Sequence, residues 1–361
     1  MGVKNLFLHL GLPKCGSSSI QSAFSLCSAH LDHDGDPLRY IAIGKGRVLS
    51  PELVKERAQR NASGYKSSAA AEILLCRPQR SKQQASRFFK EQSGASLFLS
   101  NEGWAQAFSL PGFWEEINDL IEVCSPIKTT MIVVVRPPVE WINSAWWQWG
   151  AWQSEPNFER WFQVMLKSLQ WHHTLNIVKE RFPGVELRVL PLKPTLLTDI
   201  SVLCGLEATA FASVDRVANS SLPAVVLRLY QAFPELRPGP HGAGIDFSIL
   251  RALNDHSSAF QRAPWVINRD LIQQILTHTK ASSQALLAWM SERDAGAVME
   301  DPRWWSTDAY QDREYEHPQM QGHSSELANY AKVMTTAYRA LHLQSLASGQ
   351  DATPGNRPRE S

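Results

Sequence analysis

A glycine-bounded loop near the start of the chain carries the first residues that could do chemistry. Residues 9–24 read HLGLPKCGSSSIQSAF, and four residues separate Gly11 from Gly16. The phosphate-binding loop of ATP and GTP enzymes has this glycine spacing but places its lysine directly after the second glycine. Here the lysine is Lys14, inside the loop, from where it would approach a phosphate near the bond to a transferred group. The second glycine is followed by Ser17, Ser18 and Ser19.

The segments on either side of this loop favour a phosphate site. The apolar run LFLHL at 6–10 predicts a strand before the loop, and Ile20, Phe24, Cys27 and Leu31 recur after it at helical spacing. The first turn of a helix presents unpaired N–H groups and about half a positive charge, which suits a phosphate. The sequence therefore predicts a strand, a phosphate-binding loop and a helix in succession.

A second candidate phosphate contact ends the most apolar segment of the chain. TTMIVVVRPP at 129–138 is β-branched and predicts a strand buried on both faces that ends at Arg136. Phosphoryl transfer uses a magnesium ion, usually held by an aspartate at the end of a neighbouring strand, whereas this strand ends in an arginine. An arginine at the carboxyl end of a strand in an open α/β sheet suits a second phosphate. These residues predict a site for two phosphates and no metal.

Two more apolar runs complete the predicted sheet. SLFLS at 96–100 and VELRVLPL at 185–192 read as strands. Because strands alternate with helical stretches, the expected fold class is α/β, with a central, mainly parallel sheet flanked by helices in three layers. The stretch 32–68 predicts loops and one polar helix, and the pattern is mostly helical from about 222 onward.

Composition limits the class of protein. The chain has 361 residues, 43% of them hydrophobic, and a net charge of +1, so it can bury a large core and has no global attraction to nucleic acid or anionic membranes. Its 5 cysteines form no CxxC pair, which argues against a disulfide framework or a zinc site and favours a cytoplasmic protein. Neither a signal peptide nor a membrane span is expected.

The two phosphate motifs resemble those of a known family. GLPKCGSSS is similar to the 5′-phosphosulfate loop of sulfotransferases that use 3′-phosphoadenosine 5′-phosphosulfate (PAPS), and RPPVEWINS is similar to their 3′-phosphate motif. FLSNEGWA, between the two, resembles the bacterial, carbohydrate-type members. The chain departs from the family at Cys15, at Ser17-Ser18 and at Pro137, where Ser or Thr, Thr-Thr, and Asp or Asn are commoner. The resemblance implies a P-loop-like fold and metal-independent sulfuryl transfer to a hydroxyl, with a carbohydrate as one candidate acceptor.

The resemblance also implies a role for each motif residue. Lys14 would stabilise the charge that develops on the departing 5′-phosphate oxygen. The residues expected to hold the 5′-phosphosulfate are Lys14, Cys15, Gly16, Ser17, Ser18 and Ser19. Those expected to hold the 3′-phosphate are Arg136 and Ser144, eight residues further along the chain.

An acceptor hydroxyl needs a general base within hydrogen-bond reach. Glu102 follows the SLFLS strand, and glutamates serve as bases in several carbohydrate sulfotransferases, so Glu102 is the expected base. His172 or His173, on a helical stretch, is the alternative. His9 lies on the first predicted strand and is expected in the core or behind the site.

Two further stretches give weaker candidates. Trp147 falls three residues after Ser144 and either packs in the core or walls the nucleotide or an acceptor sugar. RVANSSLPAVVLRLY at 216–230 resembles the family segment that closes over the nucleotide, and an ordinary helix capped by Ser221 explains it as well. Its candidate contacts are Arg216, Asn219 and Ser220.

The predicted organisation is a PAPS-binding core at 1–230, a mainly helical extension at 231–346 that shapes the acceptor pocket, and a disordered tail at 347–361. The expected partners are PAPS, its product 3′-phosphoadenosine 5′-phosphate (PAP) and a hydroxyl-bearing acceptor. Two alternatives stay open. A P-loop kinase of small molecules would need ATP and magnesium, and a non-catalytic nucleotide-binding protein would not use Glu102.

Overall fold

The computed structural model describes residues 2–27, 29–44, 47–60, 87–107, 112–153, 155–214, 222–232, 263–319 and 333–334. The chain divides into two compact units. The first comprises Met1–Ile142, Val164–Ser220 and Arg269–Asp312, and the second comprises Asn143–Gln163, Ser221–Asn268 and Arg313–Ser361. Residues of the predicted extension occur in both units. The predicted tail and the late candidates Arg216, Asn219 and Ser220 lie outside the described residues.

A six-stranded, mainly parallel sheet forms the centre of the first unit. Its strands are β1 (Asn5–Leu10), β2 (Ala29–Leu31), β3 (Pro37–Tyr40), β6 (Ser96–Asn101), β7 (Lys128–Val135) and β8 (Glu186–Pro191). They lie in the order β2-β3-β6-β1-β7-β8, and only β2 is antiparallel to its neighbour. A separate two-stranded hairpin is formed by β4 (Ile43–Gly44) and β5 (Arg47–Val48).

The four strands predicted from apolar runs are confirmed. Leu8 of β1 pairs with Leu99 of β6 on one side and with Met131 of β7 on the other, and all three side chains are fully buried. Burial on both faces is what a parallel sheet between helices requires, because each face must be covered. The fold class predicted from the sequence, α/β with a mainly parallel central sheet, is therefore correct.

The described α-helices connect and cover these strands. They are α1 (Ser17–Leu26), α2 (Pro51–Arg60), α3 (Trp104–Ala107), α4 (Phe113–Cys124), α5 (Pro138–Gln148), α6 (Phe158–Ser168), α7 (Trp171–Arg181), α8 (Leu196–Leu203), α9 (Ala224–Ala232), α10 (Arg269–Leu286) and α11 (Glu292–Glu300). Short 3-10 helices span Gly150–Trp152, Leu287–Trp289, Pro302–Trp304 and Thr307–Tyr310. None of the helices in the described ranges has the length and apolar character needed to cross a membrane.

The stretch 32–68 differs from its prediction. The polar helix is present as α2, but the structure also forms β3, β4 and β5 where loops were expected. In β3 only Leu38 and Tyr40 point inward and are buried, while Arg39 between them is exposed. Two inward residues are too few to produce a recognisable period-2 pattern, so pairing with β6 decides this strand rather than its own sequence.

The connections define where a ligand would bind. From β1 the chain crosses through α1 towards β3, whereas from β7 it proceeds to β8 on the other side of β1. Helix α4 belongs to the connection from β6 to β7, which runs in the direction opposite to that of α1. Right-handed crossovers therefore put the two helices on opposite faces of the sheet, as three layers require. The carboxyl ends of β1 and β7 therefore flank the topological switch point, where open α/β sheets bind their ligands.

Candidate functional site

The loop after β1 lies directly against the segment that follows β6. The Gly11 N–H donates to the Asn101 carbonyl oxygen at 3.0 Å. A Cβ atom on Gly11 would lie 2.7 Å from the Cα of Glu102, so only glycine permits this approach. Glu102, half-buried, is thus the first residue beyond β6 and stands at the same edge of the sheet as the loop.

Two loop residues have left-handed backbones. Gly16 has a φ of 87°, and a Cβ there would lie 2.9 Å from Leu196 and 3.0 Å from Leu192. Lys14 has a φ of 63°, which is uncommon for a residue with a side chain and needs support from its surroundings. The loop therefore holds its lysine in a conformation that lysine does not favour.

Helix α1 begins directly after the loop. Gly16 is its N-cap and no side chain caps it, while the N–H groups of Ser19 and Ile20 already bond to the Gly16 carbonyl oxygen. The buried Ser17 hydroxyl donates to the Leu12 carbonyl oxygen at 3.4 Å, so it braces the loop from within. Ser18, like Ser19, is half-buried on the first turn, which is the turn that carries the positive end of the helix dipole.

Arg136 stands at the end of β7, beside the loop. One of its Nη atoms lies 3.4 Å from the Lys14 carbonyl oxygen, and its Nε lies 3.4 Å from a carboxylate oxygen of Glu140. Both contacts are longer than the 2.9 Å typical of an N–H···O bond. The structure therefore brings the two basic residues of the predicted site together at one edge of the sheet.

A second arginine reaches the same carboxylate from the C-terminal part of the first unit. Arg303 lies 3.3 Å from the other oxygen of Glu140 and forms a two-pronged ion pair with Asp301, its closest contact being 2.7 Å. The Tyr310 hydroxyl donates to the Arg303 carbonyl oxygen at 2.7 Å. Sequence reasoning missed Arg303. One indication of this cluster is visible in the sequence: Glu140 lies four residues after Arg136, the spacing at which opposite charges pair along a helix.

Cys15 is buried at the centre of this group. Burial raises the pKa of its thiol to about 12, with Glu102 acting in the same direction and Arg136 and Lys14 acting against it. These three charged side chains therefore lie within electrostatic reach of one sulfur atom. The thiol has no exposed surface, so Cys15 fills space beneath the loop.

The remaining predicted residues lie as follows. Ser144 is half-buried on α5, about two turns beyond Arg136, and belongs to the second compact unit. Trp147 is buried in that unit, where its indole N–H donates to the Pro264 carbonyl oxygen at 2.8 Å and Arg228 lies over its ring. Of the two roles predicted for Trp147, these contacts support packing in the interior.

The histidines divide between core and surface. His9 is fully buried in β1, where its Nδ1 lies 2.7 Å from the Ser100 hydroxyl, and burial lowers its pKa to about 3. It is the core histidine that the sequence predicts. His172 and His173 lie in the first turn of α7, after Trp171, with their ring centres 3.9 Å apart, and His173 is exposed.

No family model, curated protein or solved structure matches the chain.

Proposed function

We propose that the protein is a PAPS-dependent sulfotransferase with a P-loop-like fold. The observation that supports this most is the position of two basic residues on either side of the switch point. Lys14 follows β1, Arg136 follows β7, and the Arg136 guanidinium lies 3.4 Å from the Lys14 backbone. A nucleotide with a 5′-phosphosulfate at the loop and a 3′-phosphate at Arg136 is the ligand that two basic residues and a helix N-terminus at one sheet edge favour.

The chemistry follows from the charges that the reaction generates. The acceptor hydroxyl oxygen attacks sulfur, a new S–O bond forms, and the S–O bond to the 5′-phosphate breaks. Negative charge then develops on the departing phosphate oxygen, where the Lys14 ammonium and the first turn of α1 stabilise it. The hydroxyl proton passes to the Glu102 carboxylate. No step requires a metal, because the sulfuryl group carries less negative charge than a phosphoryl group.

The finer parts of the proposal rest on sequence. Cytoplasmic location rests on the cysteine composition, and the acceptor class rests on the resemblance of FLSNEGWA. Ser144 as a 3′-phosphate contact rests on the spacing of its motif. The kinase alternative is disfavoured by two positions, since Gly16 is followed by Ser17 rather than lysine and β7 is followed by Arg136 rather than aspartate.

The test is transfer from labelled donors. The full chain is incubated with [³⁵S]PAPS, and in parallel with [γ-³²P]ATP, in the presence of glycans, lipids and small alcohols, each with and without EDTA. We expect ³⁵S-labelled product that persists in EDTA. Magnesium-dependent ³²P product would instead establish a kinase, and tight binding of PAP without any transfer would establish a non-catalytic nucleotide-binding protein.

A further inference from the structure

The left-handed backbone of Lys14 is held from outside the loop. The conformation of a residue is fixed when the peptide groups on both sides of it are fixed. These two groups end in the Pro13 and Lys14 carbonyl oxygens, and both oxygens accept a hydrogen bond from the segment that follows β7. The RPPVEWINS segment thus supplies a hydrogen bond to the peptide group on each side of Lys14.

The shorter of the two restraints comes from Trp141. Its indole Nε1–H donates to the Pro13 carbonyl oxygen at 2.7 Å, whereas the bond from Arg136 to the Lys14 carbonyl oxygen is 3.4 Å long. Trp141 is only 3% exposed and packs edge-on against Trp171, so its ring has little freedom to leave. In a planar trans peptide the N–H points opposite to the C=O, so this bond also turns the Lys14 N–H away from Trp141.

We propose that Trp141 is a positioning residue that holds Lys14 in its catalytic orientation. The inference rests on the sulfotransferase proposed above and adds a residue to that machinery. Arg136 cannot supply this restraint alone, because its guanidinium is also the proposed contact for the 3′-phosphate and its bond to the loop is long. A donor that never touches the ligand keeps the loop in place whether or not Arg136 is engaged.

Loss of the indole donor should therefore affect turnover more than binding. The ammonium of Lys14 must meet the bridging oxygen as charge develops, and a displacement of about 1 Å can cost about 10²-fold in rate. The phosphate contacts made by Arg136 and by the first turn of α1 do not depend on this alignment. We expect kcat to fall while the dissociation constant of PAP changes little.

Two substitutions separate the hydrogen bond from the packing. Trp141→Phe keeps an apolar aromatic ring but removes the donor. Trp141→His leaves a smaller ring, yet its Nε2 occupies the ring position of the indole Nε1 and restores an N–H. The matched control is Trp146→Phe, on the same helix. Trp146 is also fully buried, and its indole nitrogen has no hydrogen-bond partner among the described residues.

The measurements are kcat with PAPS, the dissociation constant of PAP and the melting temperature. We expect Trp141→Phe to lower kcat about 10- to 100-fold, Trp141→His to retain more activity than Trp141→Phe, and Trp146→Phe to lower the melting temperature without this loss of kcat. If Trp141→His is no better than Trp141→Phe, packing alone explains the position of Trp141 and the inference is wrong.

A double mutant provides the decisive check. In a Lys14→Ala background, Trp141→Phe should reduce kcat no further, because the residue that it positions is absent. Full additivity of the two losses overturns the inference even if Trp141→His folds poorly. A wild-type chain that transfers no sulfuryl group overturns the proposed function itself, whereas an active wild type whose kcat survives Trp141→Phe overturns only the role of Trp141.

Discussion

The two ends of strand β1 each carry a lysine in a different electrostatic setting. Before the strand, the Lys4 ammonium lies within 3.1 Å of three carboxylates: Asp32, Asp34 and Asp36. After the strand, Lys14 stands in a loop beside the Arg136 guanidinium and the positive first turn of α1. The two lysines are ten positions apart in sequence. Lys4 is enclosed by carboxylates, whereas Lys14 lies beside a guanidinium and a helix N-terminus.

This difference distinguishes Lys4, which is held in an ion-pair cluster, from Lys14, which we propose acts in sulfuryl transfer. The three aspartates are close enough together to hold a metal ion, but the Lys4 ammonium bonds to all of them. At the other end, Lys14, Arg136 and Glu102 all influence the pKa of the Cys15 thiol, and Glu140 lies 3.4 Å from the Arg136 Nε. The long Arg136–Glu140 contact and the positive first turn of α1 leave this edge suited to an anion. The comparison predicts where substitutions should reduce rate and where they should reduce stability.

Alanine at each lysine gives the largest expected contrast. Lys14→Ala should lower kcat for sulfuryl transfer about 10²–10³-fold, because it removes a preorganised donor from the departing phosphate oxygen. Its melting temperature should change little. Lys4→Ala should do the opposite and lower the melting temperature while leaving kcat intact. Steady-state kinetics and thermal unfolding of both variants check this. If the two variants have equal kcat, Lys14 has no special role in transfer and the prediction is wrong.

Removing the proposed base is the next largest change. Glu102→Gln keeps the size of the side chain but cannot take a proton, so transfer should slow about 10²-fold. The dissociation constant of PAP should stay within a few-fold, since Glu102 is not a phosphate contact. Glu115→Gln is the matched control, because Glu115 is an exposed carboxylate on the first turn of α4. If Glu102→Gln is as fast as the control, a residue other than Glu102 is the general base.

Much of this site was predictable because its residues follow strongly apolar strands. Lys14, Glu102 and Arg136 each lie beyond a run whose burial forces it into the sheet, and the carboxyl ends of parallel strands share one edge. Arg303 was not predictable, since it is 163 positions from Glu140 and no local pattern marks it. Nor was the bond of Trp141 to the loop, because its helix is rich in tryptophans that pack in the interior. Contacts between distant segments depend on packing, which spacing along the chain does not encode.

Arg136→Met should separate the two phosphates of the ligand. Charge-assisted hydrogen bonds to phosphate contribute about 1.5–3 kcal/mol, so PAP should bind about 10- to 150-fold more weakly. AMP, which lacks the 3′-phosphate, should bind the variant and the wild type alike. Arg188→Met, at a partly exposed position in the middle of β8, should leave both affinities unchanged. Calorimetric titration with both nucleotides measures this, and equal weakening of AMP would place Arg136 at the 5′-phosphate instead.

The smallest expected effect is a pH dependence of the unfolding free energy. His9, inside β1, and Asp32, beside Lys4 at the amino end of β1, should contribute to it in different pH ranges. His9 has a pKa lowered to about 3 by burial, so between pH 6.5 and 3 the unfolded chain takes up a proton that the folded chain refuses. This component of the unfolding free energy is complete above pH 6.5 and is lost by about 1.4 kcal/mol for each pH unit below it.

Asp32 responds in a separate pH range. Burial alone would raise its pKa, but N–H groups of Asp36 and Asp34 and the Lys4 ammonium hold it below its ordinary value of 3.8, so its contribution is lost only as the pH falls below that value. Urea unfolding at pH 7.5 and pH 5.5 covers the range of His9, and of His30 and His172, whose pKa values burial also lowers, but not that of the Lys4 cluster. His9→Asn, whose amide can still reach Ser100, should reduce the difference between the two pH values, whereas Lys4→Ala should leave that difference unchanged. An unchanged difference in His9→Asn would mean that the buried imidazole accepts a proton in the folded state.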